Sequence, residues 1–132
     1  MNARYTRWIH NGINNLILIF LIAGFLPQTL TAQNCDRQRD SLALVALYNA
    51  TDGPNWTNTW NLLQPIDEWW GVKQNTQGCV DTLDLSSNNM KGVLPSNLGY
   101  LINLKRLILS FNNISGIIPE SIGNLILLEE LA

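Results

Sequence analysis

The sequence predicts an α/β solenoid, with a short parallel sheet along its concave face and a helix-and-hairpin cap on its N-terminal side. Three observations lead there. Residues 80–127 state one 24-residue pattern twice, and a third copy opens at Leu128. Each copy holds the alternation L-x-L, followed three residues later by Asn. A dense apolar run and then a tryptophan-rich stretch stand immediately ahead of the first copy.

The two copies read VDTLDLSSNNMKGVLPSNLGYLIN, Val80 to Asn103, and LKRLILSFNNISGIIPESIGNLIL, Leu104 to Leu127. A shift of 24 residues pairs Leu83 with Leu107, Leu85 with Leu109, Asn88 with Asn112, Met90 with Ile114 and Gly92 with Gly116. It also pairs Pro95 with Pro119, Leu98 with Ile122, Gly99 with Gly123 and Leu101 with Leu125. L-x-L is a short strand with two inward side chains and an outward one between them. The Asn lies where the chain leaves that strand. Its amide can serve backbone groups of neighbouring coils that otherwise lack partners. One coil cannot bury its own apolar side, so such coils stack.

The tail N-x-[LMI]-x-G-x-[LI]-P-x-x-[LI]-G-x-L resembles the leucine-rich repeat family. The similarity is to the 24-residue subtype of plant receptor-kinase ectodomains, polygalacturonase-inhibiting proteins and related secreted bacterial proteins. The resemblance implies a leucine-rich repeat solenoid whose parallel strands line a concave, ligand-binding face. Three regions are expected: a signal peptide at 1–32, a capping region at 33–79, and repeats at 80–132, two complete and a third begun.

The first region has the three-part layout of a secretory signal. Arg4 and Arg7 are followed by the apolar run Leu16 to Leu26, then Pro27, with Ala32 at the expected cleavage point. The run falls short of the roughly 20 residues a membrane-spanning helix needs. Asn34, directly before Cys35, is not the small residue of a lipoprotein signal. Cleavage leaves six basic residues against ten acidic ones, net −4, with no basic footprint for nucleic acid.

The cap should begin with a helix over about 36–49, with Asp40 or Ser41 as N-cap and Leu42, Val45 and Ala46 on one face, Leu44 and Leu47 beside it. Asp52-Gly53-Pro54 ends it. Trp56, Trp60, Trp69 and Trp70 are expected chiefly to cover the end of the solenoid; sugar stacking or anchoring of a partner is the alternative. Trp70-Gly71-Val72 begins a strand, Gln74 to Gly78 a turn, and Cys79 the return strand. Trp69-Trp70-Gly71-Val72 followed by Cys79 resembles the plant-type cap. That cap commonly carries a cysteine shortly before the tryptophan, where this chain has Ile66-Asp67-Glu68. The stretch at 46–57 looks more like the caps of secreted bacterial or algal members.

Cys35 and Cys79 are the only cysteines. In a secreted chain an even pair suggests a disulfide. Two free thiols or a metal site are the alternatives, the latter short of other soft ligands. Closing a loop of that length corresponds to roughly 4 kcal/mol in the chain-entropy estimate.

No catalytic residue, metal or cofactor is expected. The single histidine, His10, leaves with the signal peptide, so no serine has a histidine base. Asp67-Glu68 and Glu129-Glu130 read as solvated pairs, and no phosphate loop or zinc spacing is present. Asn49, Asn55 and Asn113 head glycosylation sequons.

Function is therefore expected to be recognition. The outward positions of the first coil are Thr82, Asp84, Ser86 and Ser87; those of the second are Arg106, Ile108, Ser110 and Phe111. Asp84, Arg106, Ile108 and Phe111 are the candidate ligand contacts. The partner is a protein, peptide or glycan, met by a secreted or cell-surface module. The alternative is a non-binding N-terminal piece of a longer receptor or adhesin, which would reach a membrane only through a parent chain beyond Ala132. Self-association through an uncapped C-terminal end is also expected, across inward Leu125, Leu128 and Leu131 and a nearly bare strand edge at 107–110.

Overall fold

The structure, a computed structural model, describes residues 36–132. The expected signal peptide, its cleavage point and Cys35 lie outside the described residues.

Helix α1 spans Arg37–Ala50. Its N-cap is Asp36, whose carboxylate accepts from the backbone N–H of Gln38 and Arg39. This corrects the expectation of Asp40 or Ser41, because Asp40 turns inward instead. Its Oδ2 accepts the Val80 N–H at 2.9 Å, and the side chain is 1% exposed. The buried face is Asp40, Ala43, Leu44, Leu47 and Tyr48, spaced by three and four residues. Leu42, expected on that face, is 55% exposed, and Val45 and Ala46 are only half-buried. The physical reason is long-range: the stripe that begins at Asp40 ends at Tyr48, whose ring joins the tryptophans. Thr51 closes the helix with its N–H and Oγ1 both donating to Leu47 O.

Beyond α1 the aromatic side chains form one stack. Tyr48 lies parallel to Trp60 at 6.0 Å and edge-on to Trp56 at 5.2 Å; Trp60 lies parallel to Trp69 at 4.8 Å. Each indole N–H finds a carbonyl: Trp56 donates to Thr51 O, Trp60 to Trp70 O, and Trp69 to Asn61 O and Gln64 O. These three tryptophans are each 4% exposed and belong to the core, as the covering role required. Trp70 is 44% exposed and has another place.

Strands β1 (Val72–Gln74) and β2 (Val80–Asp84) form an antiparallel hairpin, with Val72 opposite Leu83 and Lys73 opposite Thr82. Asn75 shapes the turn by accepting the N–H groups of Gln77 and Cys79 on its side-chain oxygen. From β2 the chain coils. Strand β4 (Arg106–Ile108) lies parallel to β2, Leu83 beside Leu107, and β6 (Glu130–Leu131) lies parallel to β4, Leu107 beside Leu131. The register is the 24-residue repeat itself. Between them β3 (Lys91–Val93) pairs in parallel with β5 (Asn113–Ser115). Short 3-10 turns at Ser96–Tyr100 and Glu120–Asn124 complete the coils, and α1 packs against the first of these turns.

Val80, Leu83, Leu85, Met90, Leu98, Leu101, Leu104 and Leu107 are fully buried. Asn112 fills the role expected of the repeat asparagine. Its amide donates to Leu85 O at 2.7 Å and Leu109 O at 2.8 Å, and its oxygen accepts from Asn88 N and Met90 N, each at 3.0 Å.

The expected bare edge at 107–110 is not there. Leu109 N donates to Ala132 O, Ala132 N to Leu107 O, and Glu129 N to Lys105 O. The opening residues of the third copy suffice to pair the strand before any third coil is built. The side chains at this end cover less: Leu125 of the second coil is buried and Leu128 half-buried, but Leu131 is 49% exposed.

Candidate functional site

Strand pairing sets outward residues in rows across the concave sheet. Lys73, Thr82, Arg106 and Glu130 are successive neighbours in one row. Two residues along the strands, Asp84 and Ile108 are neighbours in the next. The loop before β1 extends that second row: Asp84 N donates to Gly71 O at 2.9 Å. Gly71 has φ +81°, and a Cβ there would collide with the Asp84 carbonyl oxygen. Only glycine permits this approach, and it holds the preceding Trp70 at the rim.

The result is a cleft of about 270 Å³ lined by Trp70, Lys73, Thr82, Asp84, Arg106 and Ile108, with Ser86 at one end. Its charges differ in availability. Arg106 Nε donates to Glu130 Oε2 at 2.6 Å in an exposed ion pair. Asp84 Oδ1 accepts from Ser86 N at 3.1 Å and Ser86 Oγ at 2.8 Å. Lys73 is exposed and makes no ion pair among the described residues. An indole, an aliphatic side chain and a free ammonium in one concavity suit an amphipathic ligand. Among the described residues no three His, Cys, Asp or Glu side chains converge to hold a metal ion.

Three of the four candidate contacts, Asp84, Arg106 and Ile108, therefore share one site. Phe111 does not. It has φ 58° and is 87% exposed, just beyond the strand. It borders a different cleft, of about 480 Å³, with Leu94, Leu109, Ile114, Ile118 and Leu131. Ser87, one repeat earlier, also has a positive φ, 53°, so the turn belongs to the coil. That turn swings position 111 off the outward alternation of the strand. Conversely, Lys73 and Glu130 are not among the four candidate contacts, and Trp70 enters the sequence reading only through the alternative that the cap tryptophans anchor a partner. Pairing the 72–74 strand with the 80–84 strand would have found Lys73.

Of the other singled-out positions, Cys79 is fully buried and is not a free thiol. Asn49, Asn55 and Asn113 are all exposed, although the Asn55 amide donates to Asp52.

Known proteins bear on this geometry. The Leucine Rich Repeat family model matches residues 79–101 and 103–125, the span of the two coils. The protein has the leucine-rich repeat fold. Among solved structures, this leucine-rich repeat chain is similar to a plant ice-binding protein, with 27% identity and a TM-score of 0.63, over 74% of this chain and 32% of that one. It is similar to the PEPR1–AtPEP1 structure, with 28% identity and a TM-score of 0.55, over 69% of this chain and 14% of that one. A leucine-rich repeat protein from Bacteroides eggerthii gives 29% identity and a TM-score of 0.51, over 61% and 14%. The chain thus spans about a third or less of the length of these proteins. No curated protein matches it.

Proposed function

We propose that this protein is a secreted or cell-surface recognition module of the plant-type, 24-residue repeat subtype, binding a protein or peptide on its concave face. The observation that carries the reading is the cleft that spans the cap and the first two coils. Trp70, Lys73, Arg106 and Ile108 line it, and none of them is buried in the core. Residues free of core duty on a rigid sheet are where ligand choice resides. The likeness to PEPR1–AtPEP1 supports a protein or peptide ligand over a catalytic role. Residues 1–32 serve as the signal peptide, and Cys35 pairs with Cys79. Asn49, Asn55 and Asn113 are open to glycosylation in a host that performs it.

The test compares faces. Arg106→Glu should weaken ligand capture without lowering Tm, whereas changes at Ser96 or Asn97, on the convex side, should leave it intact. Equal losses from both faces would refute the concave reading.

A second reading, a structural piece of a longer receptor or adhesin, is favoured by one feature. Phe111, Ile117 and Ile126 are each more than 80% exposed at the end of the second coil. Another coil, or a second copy of the chain, would cover them. Sedimentation at rising concentration separates the two: a monomer throughout excludes association through that end.

A further inference from the structure

We propose that the cleft takes an extended peptide carrying a carboxylate and a bulky apolar side chain two positions apart. The carboxylate meets Lys73 and the apolar group lies between Trp70 and Ile108. This rests on the concave face being the binding surface.

The charges argue for the carboxylate. Arg106 is engaged by Glu130, and one Asp84 oxygen by Ser86. Lys73 is the cation in the cleft whose charge no described residue neutralises. The exposed indole argues for the apolar partner. Three of the four cap tryptophans complete the aromatic stack, while Trp70 stands 44% exposed on a fixed main chain. Its carbonyl oxygen accepts the Trp60 indole N–H at 2.9 Å, and Gly71 holds the next peptide unit against Asp84. An aromatic anchor held in place before binding loses little freedom when a ligand arrives.

The spacing follows from the rows. Thr82 to Asp84 and Arg106 to Ile108 are steps of two residues, as is Lys73 back to Gly71, so the row of Lys73 and Arg106 lies about 6.6 Å from the row of Gly71, Asp84 and Ile108. Trp70 adjoins that second row where it lines the cleft. In an extended peptide, side chains at i and i+2 share a face at that same separation. A volume of about 270 Å³ lies below the roughly 300–1,000 Å³ of small-molecule pockets, and suits one or two side chains of a longer segment.

The probes are blocked heptapeptides of glycine and serine bearing glutamate and phenylalanine two positions apart. They are titrated into the isotopically labelled full chain and followed by amide and indole NMR shifts. Binding should shift the amides of Lys73, Thr82 and Ile108 and the Trp70 indole. Glutamine in place of glutamate should weaken it several-fold, and Trp70→Ala about fivefold or more. Lys73→Glu should reverse the preference, favouring lysine over glutamate in the peptide. Both substituted positions are exposed, and unchanged amide spectra elsewhere check the fold. Concave-face shifts that ignore Lys73→Glu, or that are the same when the two peptide groups are adjacent, overturn this inference and leave the concave reading standing. No concave-face shift with any peptide overturns both.

Discussion

The Asp40 carboxylate accepts the Val80 backbone N–H at 2.9 Å, joining the cap helix to the first strand of the solenoid across forty residues of sequence. Burial pushes this carboxyl above its ordinary value of 3.8, and the nearby Asp36 charge adds to the rise, against the lowering effect of the bond to Val80. A raised folded pKa means that the ionised form is penalised in the folded state. The associated stability is present below the unfolded value and is lost as pH rises through the folded one. Asp40→Asn keeps an acceptor for Val80 without the charge. It should match or exceed the native protein at pH 7, with the difference closing towards pH 3.8. Asp40→Ala should cost about 1–3 kcal/mol at pH 7 by orphaning the Val80 N–H. Urea unfolding of the three proteins at several pH values measures both effects.

Asn112 offers a second test. Its side chain serves four backbone groups on two coils. Asn112→Leu should lower stability by roughly 3 kcal/mol, seen as a lower urea midpoint. Asn113→Leu, at the exposed neighbouring position, should cost far less; equal effects would refute the bridging role.

Gly71→Ala should distort the site. The added Cβ meets the Asp84 carbonyl oxygen at a backbone angle that L-residues avoid. A loss of more than about 1 kcal/mol is expected, with easier acrylamide quenching as Trp70 moves outward. An unchanged melt would contradict the close approach.

Processing is tested by mass. Secreted material should begin at Gln33, and non-reducing peptide maps should link the peptides of Cys35 and Cys79. A protein that still begins at Met1 would refute cleavage, and quantitative thiol labelling of the unreduced fold would refute the bond.

The solenoid was legible because its signal is local and repeated. The 24-residue shift that aligns Leu83 with Leu107 is also the register of the parallel sheet. The asparagine role followed from backbone groups that stacked coils must satisfy. The helix face was misread because residues 42–48 are almost all apolar, so their period is ambiguous. Two distant contacts decide it, Asp40 with Val80 and Tyr48 with Trp60. Phe111 was grouped with the concave residues because strand alternation was carried one step into a turn of positive φ. The sequence does not single out Lys73, nor Trp70 from the other cap tryptophans, for a complementary reason: their place depends on a hairpin register and on one glycine contact, neither of which belongs to the repeat.

The row that runs from Lys73 through Thr82 to Arg106 also sets how such a chain can change length. Coils added after β6 would extend the sheet and leave every wall of the cleft where it is. A coil inserted between β2 and β4 would move Arg106 and Ile108 one strand spacing, about 4.8 Å, away from the hairpin and place other side chains beside Asp84. Any such insertion takes Asn112 out of reach of Leu85, and only one of a whole 24-residue coil brings an equivalent asparagine into its place. The cleft is thus indexed from the cap, and lengthening is neutral for it at one end only.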